Sequence, residues 1–303
     1  MDINQYKPRY KISKNRLLGL DTTSADDILE ILHVAKELKI KRQVGEFNKT
    51  LINQNIALLT KHSFAKTRIV FELATSELSA HPLIIDLSGT EIENLLKDKD
   101  TISSIASYGI SAFVIDTSMP TDAFVIKDYV SVPVINASSI DSPCSALATL
   151  LTIWEIKKTF KTLKVCLIGD FNTHDKSLVY GLIKLGADIT IVAPRDNAPN
   201  EQLMSYCEQY GYINHTDDII FGIKNADVVY TAPHNFNSDF LLDQFAYSSA
   251  KENAMFLHPM PINRGVEVQT EIADGKNSYI YRQAENLLHI EKAIFTLLLG
   301  KKL

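Results

Sequence analysis

Short apolar runs alternate with segments of helical periodicity along the whole chain. The runs that predict strands are "QNIALLT", "HPLIIDL", "SAFVID", "VPVINA", "LKVCLIG", "DITIVAP", "ADVVYTA" and "AMFLHPM". Apolar residues at helical spacing predict helices over 24–38, 67–79, 101–108, 144–158, 177–185, 200–210, 217–223 and 283–299. Ser24 is the predicted N-cap of the first helix. Strands separated by helices of this length are typical of parallel sheets built from strand–helix–strand units.

The apolar runs "CLIG", "ITIV" and "DVVY" are continuous rather than alternating. Continuous runs are expected in strands that helices cover on both faces. We therefore predict an α/β fold with two doubly wound parallel-sheet domains and an interdomain cleft. The predicted limits are 1–140, completed by a C-terminal helix over 286–303, and 141–285. In such folds ligands bind at the carboxyl ends of the strands, so residues directly after strands are the candidates for a site.

Composition narrows the class of protein. Of the 303 residues, 46% are hydrophobic and 22% charged, which is typical of a globular protein, and the net charge is −5. Because the chain has no basic stripe and no apolar run of about 20 residues, we expect neither nucleic acid nor membrane as a partner. The N-terminus has no apolar core of signal-peptide length, which predicts a cytoplasmic protein. Three cysteines without metal or disulfide spacing are expected to be buried, and no metal or cofactor is predicted.

One segment has the outline of a dinucleotide-binding unit. "VCLIGDFNTHDKSLVYGLIKLGADITIVAP" reads as strand, turn, helix and strand. Its turn has Gly169 but lacks the second and third glycines that let a pyrophosphate approach the backbone. The sequence therefore argues against NAD binding.

Five segments resemble one family in order and spacing. They are "FAKTRIVFELATSELSAHPLIID", "YVSVPVINASSIDSPCSALATLLTIWE", "VCLIGDFNTHDKSL", "FLHPMPINRGVEV" and "YRQAENLLHIEKAIFTLLLG". They are similar to the phosphate-binding, His-Pro-x-Gln, Gly-Asp-x-Asn-Asn, His-x-Leu-Pro and Gln-Ala-Glu-Asn-Arg segments of the aspartate/ornithine carbamoyltransferases, and closer to the ornithine branch. The resemblance implies an amino-terminal carbamoyl-phosphate domain, a carboxyl-terminal amino-acid domain and a homotrimer with sites at subunit contacts.

The resemblance also assigns residues to the donor site. The family's phosphate-binding Ser, Thr and Arg fall on Phe64, Ala65 and Lys66. The next Thr and Arg are retained as Thr67 and Arg68. Lys66 keeps a positive charge but lacks the bidentate geometry of arginine. We predict that Lys66, Thr67 and Arg68 are the remnant of a former phosphate site.

Other donor positions are changed as well. The family arginine after the following strand becomes Asp116, and the arginine of the last helix becomes Leu287. The carbonyl-polarising His and its Gln partner become Ser142 and Ser145, and "EIENLLK" places Glu91 at the position of another Gln. One charge pair about 4 Å apart near a surface is worth about 4 kcal/mol, so an Arg-to-Asp change costs a dianion up to roughly 8 kcal/mol.

The acceptor positions are mixed. Asn172 is retained where the ornithine branch binds the amino-acid backbone, whereas residues 232–238 lose the carboxylate that holds the acceptor's amine. His234 lies in that segment, and the loop with His258 and Met260 binds the donor's amide through backbone carbonyls in the family. The predicted substrate-binding residues are Lys66, Thr67, Arg68, Asp116, Ser142, Ser145, Asn172, His234 and Met260. The catalytic candidates are Lys66, Thr67 and His258.

Some of these residues have a second interpretation. Asp116 is a surface carboxylate if the strand register slips, Phe64 is a space-filling side chain, and His258 belongs to a tight structural turn. Two functions stay open as well. The first is a transferase that acts on an unusual amino acid, amine or donor. The second is a non-catalytic paralogue, a trimeric scaffold or regulatory partner that can form a hetero-oligomer with an active homologue.

Overall fold

The computed structural model describes residues 3, 6–61, 65–88, 98–117, 119, 121–138, 141–172 and 175–300. The strands in this part are β1 (Arg16–Leu17), β2 (Asn55–Thr60), β3 (His81–Asp86), β4 (Ile110–Asp116), β5 (Val134–Asn136), β6 (Lys164–Ile168), β7 (Asp188–Val192), β8 (Ile213–Thr216), β9 (Val228–Thr231) and β10 (Met255–Leu257). The α-helices are α1 (Ala25–Gln43), α2 (Ala65–Glu77), α3 (Lys99–Ser107), α4 (Thr121–Ile126), α5 (Pro143–Lys157), α6 (Lys176–Lys184), α7 (Glu201–Glu208), α8 (Ile219–Ile223), α9 (Gln244–Tyr247), α10 (Thr270–Ala273) and α11 (Ile280–Leu299).

Contacts divide the chain into two compact units. The amino-terminal unit comprises Lys7–Leu147 and Asn286–Leu303, and the carboxyl-terminal unit comprises Ala148–Glu285 and Met1–Tyr6. Each unit holds one parallel five-stranded sheet, in the orders β1-β5-β4-β2-β3 and β10-β9-β6-β7-β8. The predicted fold class, two parallel α/β sheets with surrounding helices, is confirmed.

Local sequence explains where the helices begin. The side chain of Ser24 accepts a hydrogen bond from the Asp27 backbone N–H, which caps α1 as predicted. Acidic residues occupy the first turn of α1 and basic residues its last turn, so both ends complement the helix dipole. α1 continues to Gln43, five residues beyond the predicted end, and its buried residues extend to Lys39.

The strand register of the amino-terminal sheet shows which residues lie at its carboxyl edge. Thr60, the last residue of β2, pairs with Asp86 at the end of β3 and with Asp116 at the end of β4. Neighbouring strands are about 4.8 Å apart, so these three residues form one row across the sheet. Two carboxyl groups thus flank a hydroxyl at the edge where parallel sheets bind their ligands.

At the equivalent edge of the carboxyl-terminal sheet, a glycine allows two segments to approach closely. Gly169 follows β6 with a φ of +143°, and a Cβ added there would lie 2.7 Å from the Cβ of Ala232, which follows β9. Only glycine tolerates this approach without a shift of the backbone. The close contact therefore fixes the segment after β9 against the turn after β6.

All three cysteines are free and buried, as predicted. Burial without a partner makes each thiol a small hydrophobic side chain. No helix in the described ranges is both long and apolar enough to cross a membrane.

Candidate functional site

The first turn of α2 carries Lys66, Thr67 and Arg68, the residues predicted as the remnant of a phosphate site. Lys66 and Arg68 are exposed, and Thr67 is half-buried. The Arg68 guanidinium pairs with Glu72 one turn later on the same helix, with Nε 3.0 Å from Oε1. Arg68 is therefore engaged in an exposed ion pair, whereas Thr67 hydrogen-bonds to Asp116 and Lys66 acts on it electrostatically. Phe64, Glu91 and the rest of "EIENLLK" lie outside the described residues.

Asp116 is the residue of this edge on which both Thr67 and Lys66 act. Its side chain is 3% exposed, so the interpretation as a surface carboxylate is wrong. Burial raises the pKa of Asp116 to about 7, although the hydrogen bond from Thr67 and the charge of Lys66 both lower it. The Oδ2 atom has no hydrogen-bond partner in the described part of the chain. The carboxyl group is thus about half protonated at neutral pH.

A second buried carboxyl lies near Asp116 and was not among the sequence candidates. Glu291 on α11 is 4% exposed and packs against apolar side chains, among them Val114 and Phe295. Burial first, and then the charge of Asp116, raise the pKa of Glu291 to about 8, whereas Lys66 lowers it. Its Oε2 has no partner among the residues described. The only sequence signal was a glutamate within the apolar segment "LLHIEKAIF".

Cys144 marks how closely these groups lie. Its thiol is buried, and burial together with the charges of Glu291 and Asp116 raises the pKa of Cys144 well above its usual value. The Sγ atom lies 3.7 Å from the Asn136 carbonyl oxygen. A protonated, inaccessible thiol is a poor nucleophile, so Cys144 is a packing residue that lines the same small cavity as Glu291.

The two serines at the start of α5 form a helix cap. The Ser142 Oγ accepts a hydrogen bond from the Ser145 backbone N–H at 3.1 Å, and the Ser142 carbonyl accepts one from Ala146 at 3.0 Å. This is the geometry of an N-cap residue. Ser142 is therefore engaged in stabilising α5, and its hydroxyl offers much less polarisation of a carbonyl than the family's histidine.

In the carboxyl-terminal unit, both ring nitrogens of His258 have hydrogen-bond partners. Its Nε2 lies 3.0 Å from Glu267 Oε2, and its Nδ1 accepts a hydrogen bond from the Met260 backbone N–H at 2.9 Å. These partners place the ring proton on Nε2. Glu267 also accepts from the Asn263 N–H at 2.6 Å. With its side chain fully buried, His258 organises the 258–267 loop, which favours the structural-turn interpretation.

His234 is buried but has an unused donor. Its ring stacks on Phe236 at 4.6 Å, and its Nδ1 accepts the Phe236 backbone N–H at 3.3 Å. The proton therefore lies on Nε2, which has no partner among the residues that the structure describes. Burial lowers the pKa of His234 to about 4, so the ring is neutral at physiological pH. A neutral imidazole with a spare N–H can donate to an oxygen of a substrate.

Asn172 is engaged in structural contacts. Its Oδ1 accepts the Asn200 backbone N–H at 2.7 Å, and its Nδ2 donates to the Ala198 carbonyl at 2.8 Å. Both ends of the amide therefore clamp the segment that leads into α7. Binding an amino-acid backbone would require Asn172 to exchange these contacts. Thr173 and His174, which follow it, lie outside the described residues.

Two family models together describe nearly the whole chain. Residues 15–155 match the carbamoyl-P binding domain of aspartate/ornithine carbamoyltransferase, and residues 161–298 match its Asp/Orn binding domain. The chain belongs to the aspartate/ornithine carbamoyltransferase family. The resemblance inferred from the five segments is thereby confirmed, while the loss of donor residues stays a prediction.

Individual members of the family are similar along their full length. The ornithine carbamoyltransferase of Pyrococcus abyssi is 32% identical over 309 aligned residues, which cover 94% of this chain and 95% of the relative. That of Methanococcus vannielii is 34% identical, with 94% and 99% covered. The solved structure of the Pyrococcus furiosus ornithine carbamoyltransferase superposes with a TM-score of 0.87 at 32% identity, covering 95% of this chain and 98% of that one.

Proposed function

We propose that this family member is a divergent transferase of amino-acid metabolism, whose donor half does not bind carbamoyl phosphate in the ordinary way. One observation carries the proposal. The buried carboxyl of Asp116 ends β4, where the resemblance places an arginine that contacts the donor's phosphate and carbonyl. The acceptor is an amino acid or an amine, the class of molecule that the family's carboxyl-terminal domain binds.

The energetic cost follows from the protonation state of Asp116. A dianion can bind beside a protonated Asp116, and with a pKa of about 7 this protonation costs little at neutral pH. The repulsion is then avoided, but the attraction of the lost arginine, about 4 kcal/mol for one pair, is still missing. Since about 1.4 kcal/mol corresponds to a factor of ten, the expected loss in affinity is roughly a thousandfold. Lys66 is exposed and offsets only part of it.

The acceptor half supports an altered specificity. His234 replaces part of the segment that holds the acceptor's amine in the ornithine branch, and it presents a neutral N–H donor rather than a carboxylate. A neutral donor favours an acceptor with an oxygen at this position over one with an ammonium group. Ornithine is therefore not the acceptor that this side chain would select.

The direct test is citrulline formation from carbamoyl phosphate and ornithine. Ordinary enzymes reach kcat/KM values of about 10⁴–10⁸ M⁻¹s⁻¹, so a thousandfold loss predicts a value of about 10–10⁵ M⁻¹s⁻¹, roughly a thousandfold below that of an ordinary family member. The Pyrococcus furiosus ornithine carbamoyltransferase serves as the positive control in the same assay. A kcat/KM within about tenfold of this control would contradict the proposal.

A second candidate function is a non-catalytic paralogue that acts as a scaffold or regulatory partner. It is favoured by the engaged state of two candidate residues of the carboxyl-terminal unit, because both ring nitrogens of His258 and both amide ends of Asn172 make structural contacts. A screen of amino acids and amines by melting temperature separates the two candidates. A ligand that prefers the folded state raises the melting temperature, whereas a pure scaffold shows no shift with any of them.

We also propose that the protein is a homotrimer, or a hetero-oligomer with an active homologue. Exposed apolar side chains support a covered surface in the amino-terminal unit: Ile69 and Leu73 on α2 are 55% and 45% exposed, and Val44 after α1 is 67% exposed. We expect light scattering to give three times the 33.9 kDa of one chain. A mass of one chain at micromolar concentration would contradict the homotrimer.

A further inference from the structure

Several buried polar atoms in the amino-terminal unit lack hydrogen-bond partners among the described residues, and three of them concern the carboxyl edge of its sheet. These three are Thr60 Oγ1, Asp116 Oδ2 and Glu291 Oε2. The three residues are 1%, 3% and 4% exposed, respectively. Buried polar atoms are rarely left unsatisfied, because each has given up its hydrogen bonds to water without gaining others. Three such atoms in one region indicate a missing partner that donates hydrogen bonds.

These atoms lie where a ligand of a parallel sheet would bind. Thr60 and Asp116 are register partners at the carboxyl ends of β2 and β4, and Asp86 completes the row on β3. Asp86 is exposed and already accepts hydrogen bonds from Ser88. Glu291 approaches the same region from α11, because it lines one small cavity with Val114 of β4, two residues before Asp116, and with Ile135 of β5. The orphaned acceptors therefore belong to one edge.

The charge of this edge favours a cation. Asp86, Asp116 and Glu291 contribute three carboxyl groups, and Lys66 acts on the two buried ones. The N-terminus of α2 adds about half a positive charge, which opposes a cation but does not outweigh three carboxylates. An anion at this edge would be repelled by the carboxylates. Lys66 is exposed on α2 and competes for the same carboxyl groups as an added ammonium.

We propose that the carboxyl edge of the amino-terminal sheet binds the ammonium group of an organic cation, with Asp116 and Glu291 as its charged acceptors. This inference rests on the proposed function, because an edge that still bound carbamoyl phosphate could not also bind a cation. A primary ammonium carries three N–H donors, which equals the number of orphaned acceptors. Mg²⁺ and Ca²⁺ require several converging oxygen ligands, and no group of three or more His, Cys, Asp or Glu side chains in the described part of the chain is placed to hold a metal ion.

The ligand and the carboxyl groups are linked through protons. Asp116 and Glu291 have pKa values raised to about 7 and about 8, so both are partly protonated near neutral pH. A cation requires their ionised forms and therefore releases protons on binding. Its affinity is expected to rise about tenfold or more between pH 6 and pH 8.5. Ordinary surface carboxylates, which ionise near pH 4, would give no change over this range.

The test is calorimetric titration of the full chain with putrescine, with 1-butanol as an uncharged control and with inorganic phosphate and carbamoyl phosphate as anions. We expect putrescine to bind with affinity that rises with pH. Asp116→Asn and Glu291→Gln should each weaken it about tenfold or more, as expected for a lost charged hydrogen bond. Asp196→Asn, at an exposed position of the carboxyl-terminal unit, is the matched control and should change nothing.

Several outcomes would overturn the inference, and they can be distinguished from failure of the proposed function. Putrescine binding that both variants retain, or that does not depend on pH, places the cation elsewhere. Binding of Mg²⁺ in place of putrescine identifies a metal site instead. If neither putrescine nor carbamoyl phosphate binds, this inference fails and the proposed function stands. If carbamoyl phosphate binds and turns over at ordinary rates, both fail. Melting curves of both variants show that loss of binding is not loss of folding.

Discussion

Replacing Glu77 is expected to destabilise the amino-terminal unit by about 3–5 kcal/mol, because it leaves a buried lysine without its counter-ion. Lys292 on α11 is almost fully buried, and its Nζ lies 2.6 Å from Glu77 Oε2 at the end of α2. The other oxygen of Glu77 lies 2.9 Å from Arg42 Nε. Glu77→Gln therefore removes one carboxylate from two cations, and we expect the melting temperature to fall by roughly 10 °C.

The residues around Glu77 and Lys292 explain why nothing compensates for the loss of the Glu77 carboxylate. His289 is buried one turn before Lys292, and burial together with the charges of Lys292, Lys39 and Arg42 lowers its pKa to about 3. Lys39 donates to Asn286 Oδ1 at 2.6 Å. Lys292 and Arg42 thus share a single carboxylate, and the charges of Lys292, Lys39 and Arg42 all act on His289, so the potential becomes strongly positive once Glu77 is removed.

Two variants control this experiment. Asp217→Asn breaks an ion pair of similar length, Arg195–Asp217 at 2.7 Å, but that arginine is 86% exposed, so the expected change is below about 1 kcal/mol. In the Glu77→Gln/Lys292→Met double variant the buried charge is absent, and most of the stability should return. Calorimetric melting at pH 7 measures all three. Equal losses for Glu77→Gln and Asp217→Asn would contradict the assignment of a buried pair.

Removing either buried carboxyl group at the sheet edge, Asp116 or Glu291, is expected to make the protein more stable than the native chain at alkaline pH. Because burial raises the pKa of Asp116 and of Glu291, the folded state holds their protons longer than the unfolded state does. The resulting stability is complete below the usual pKa of about 4 and is lost as pH rises to between 7 and 8. The native protein should therefore become less stable between pH 5.5 and pH 8.5.

The size of this effect follows from the shifts. With about 1.4 kcal/mol for each pKa unit, ionisation of Asp116 removes about 2 kcal/mol between these two pH values, and that of Glu291 about 3 kcal/mol. Asp116→Asn should abolish its share, which corresponds to about 4–8 °C in the melting temperature. Glu291→Gln should do the same, and the two together less than the sum because the groups interact.

Melting curves of each variant at both pH values test this prediction. Asp196→Asn serves again as the control, because it removes an exposed carboxylate of the carboxyl-terminal unit. If Asp116→Asn and Glu291→Gln both keep the pH dependence of the native protein, the two carboxyl groups are not buried as described. The cation site inferred at the same edge would then lose its foundation.

Much of the fold could be predicted from sequence because it depends on local pattern. Continuous apolar runs such as "CLIG" gave strands, and Ser24 gave the start of α1. β8, with the sequence Ile-Asn-His-Thr, was missed because a half-buried edge strand with polar side chains has no such pattern. The short helices α4, α9 and α10 were missed as well, since one turn carries too few residues to show a period.

The candidate site was predicted only in part. Asp116 could be placed at a strand end because "SAFVID" anchors the strand, and family membership followed from segments whose order and spacing are readable in the chain. Glu291 could not be found in this way, because it lies 175 positions further on and meets Asp116 only after α11 packs beside β4. Asn172 and His258 carry family signals, but whether their polar atoms are engaged depends on neighbours distant in sequence.

The sequence by itself determined the parallel α/β class, the family and the identity of the side chains at the strand ends. These depend on periodicity, spacing and residue type, which are all properties of the linear chain. Only the tertiary structure decided which polar atoms are left without partners and which carboxyl groups are deprived of water. Burial and electrostatic coupling are set by groups that folding brings together, so the protonation of Asp116 and Glu291 could not be predicted from either segment alone.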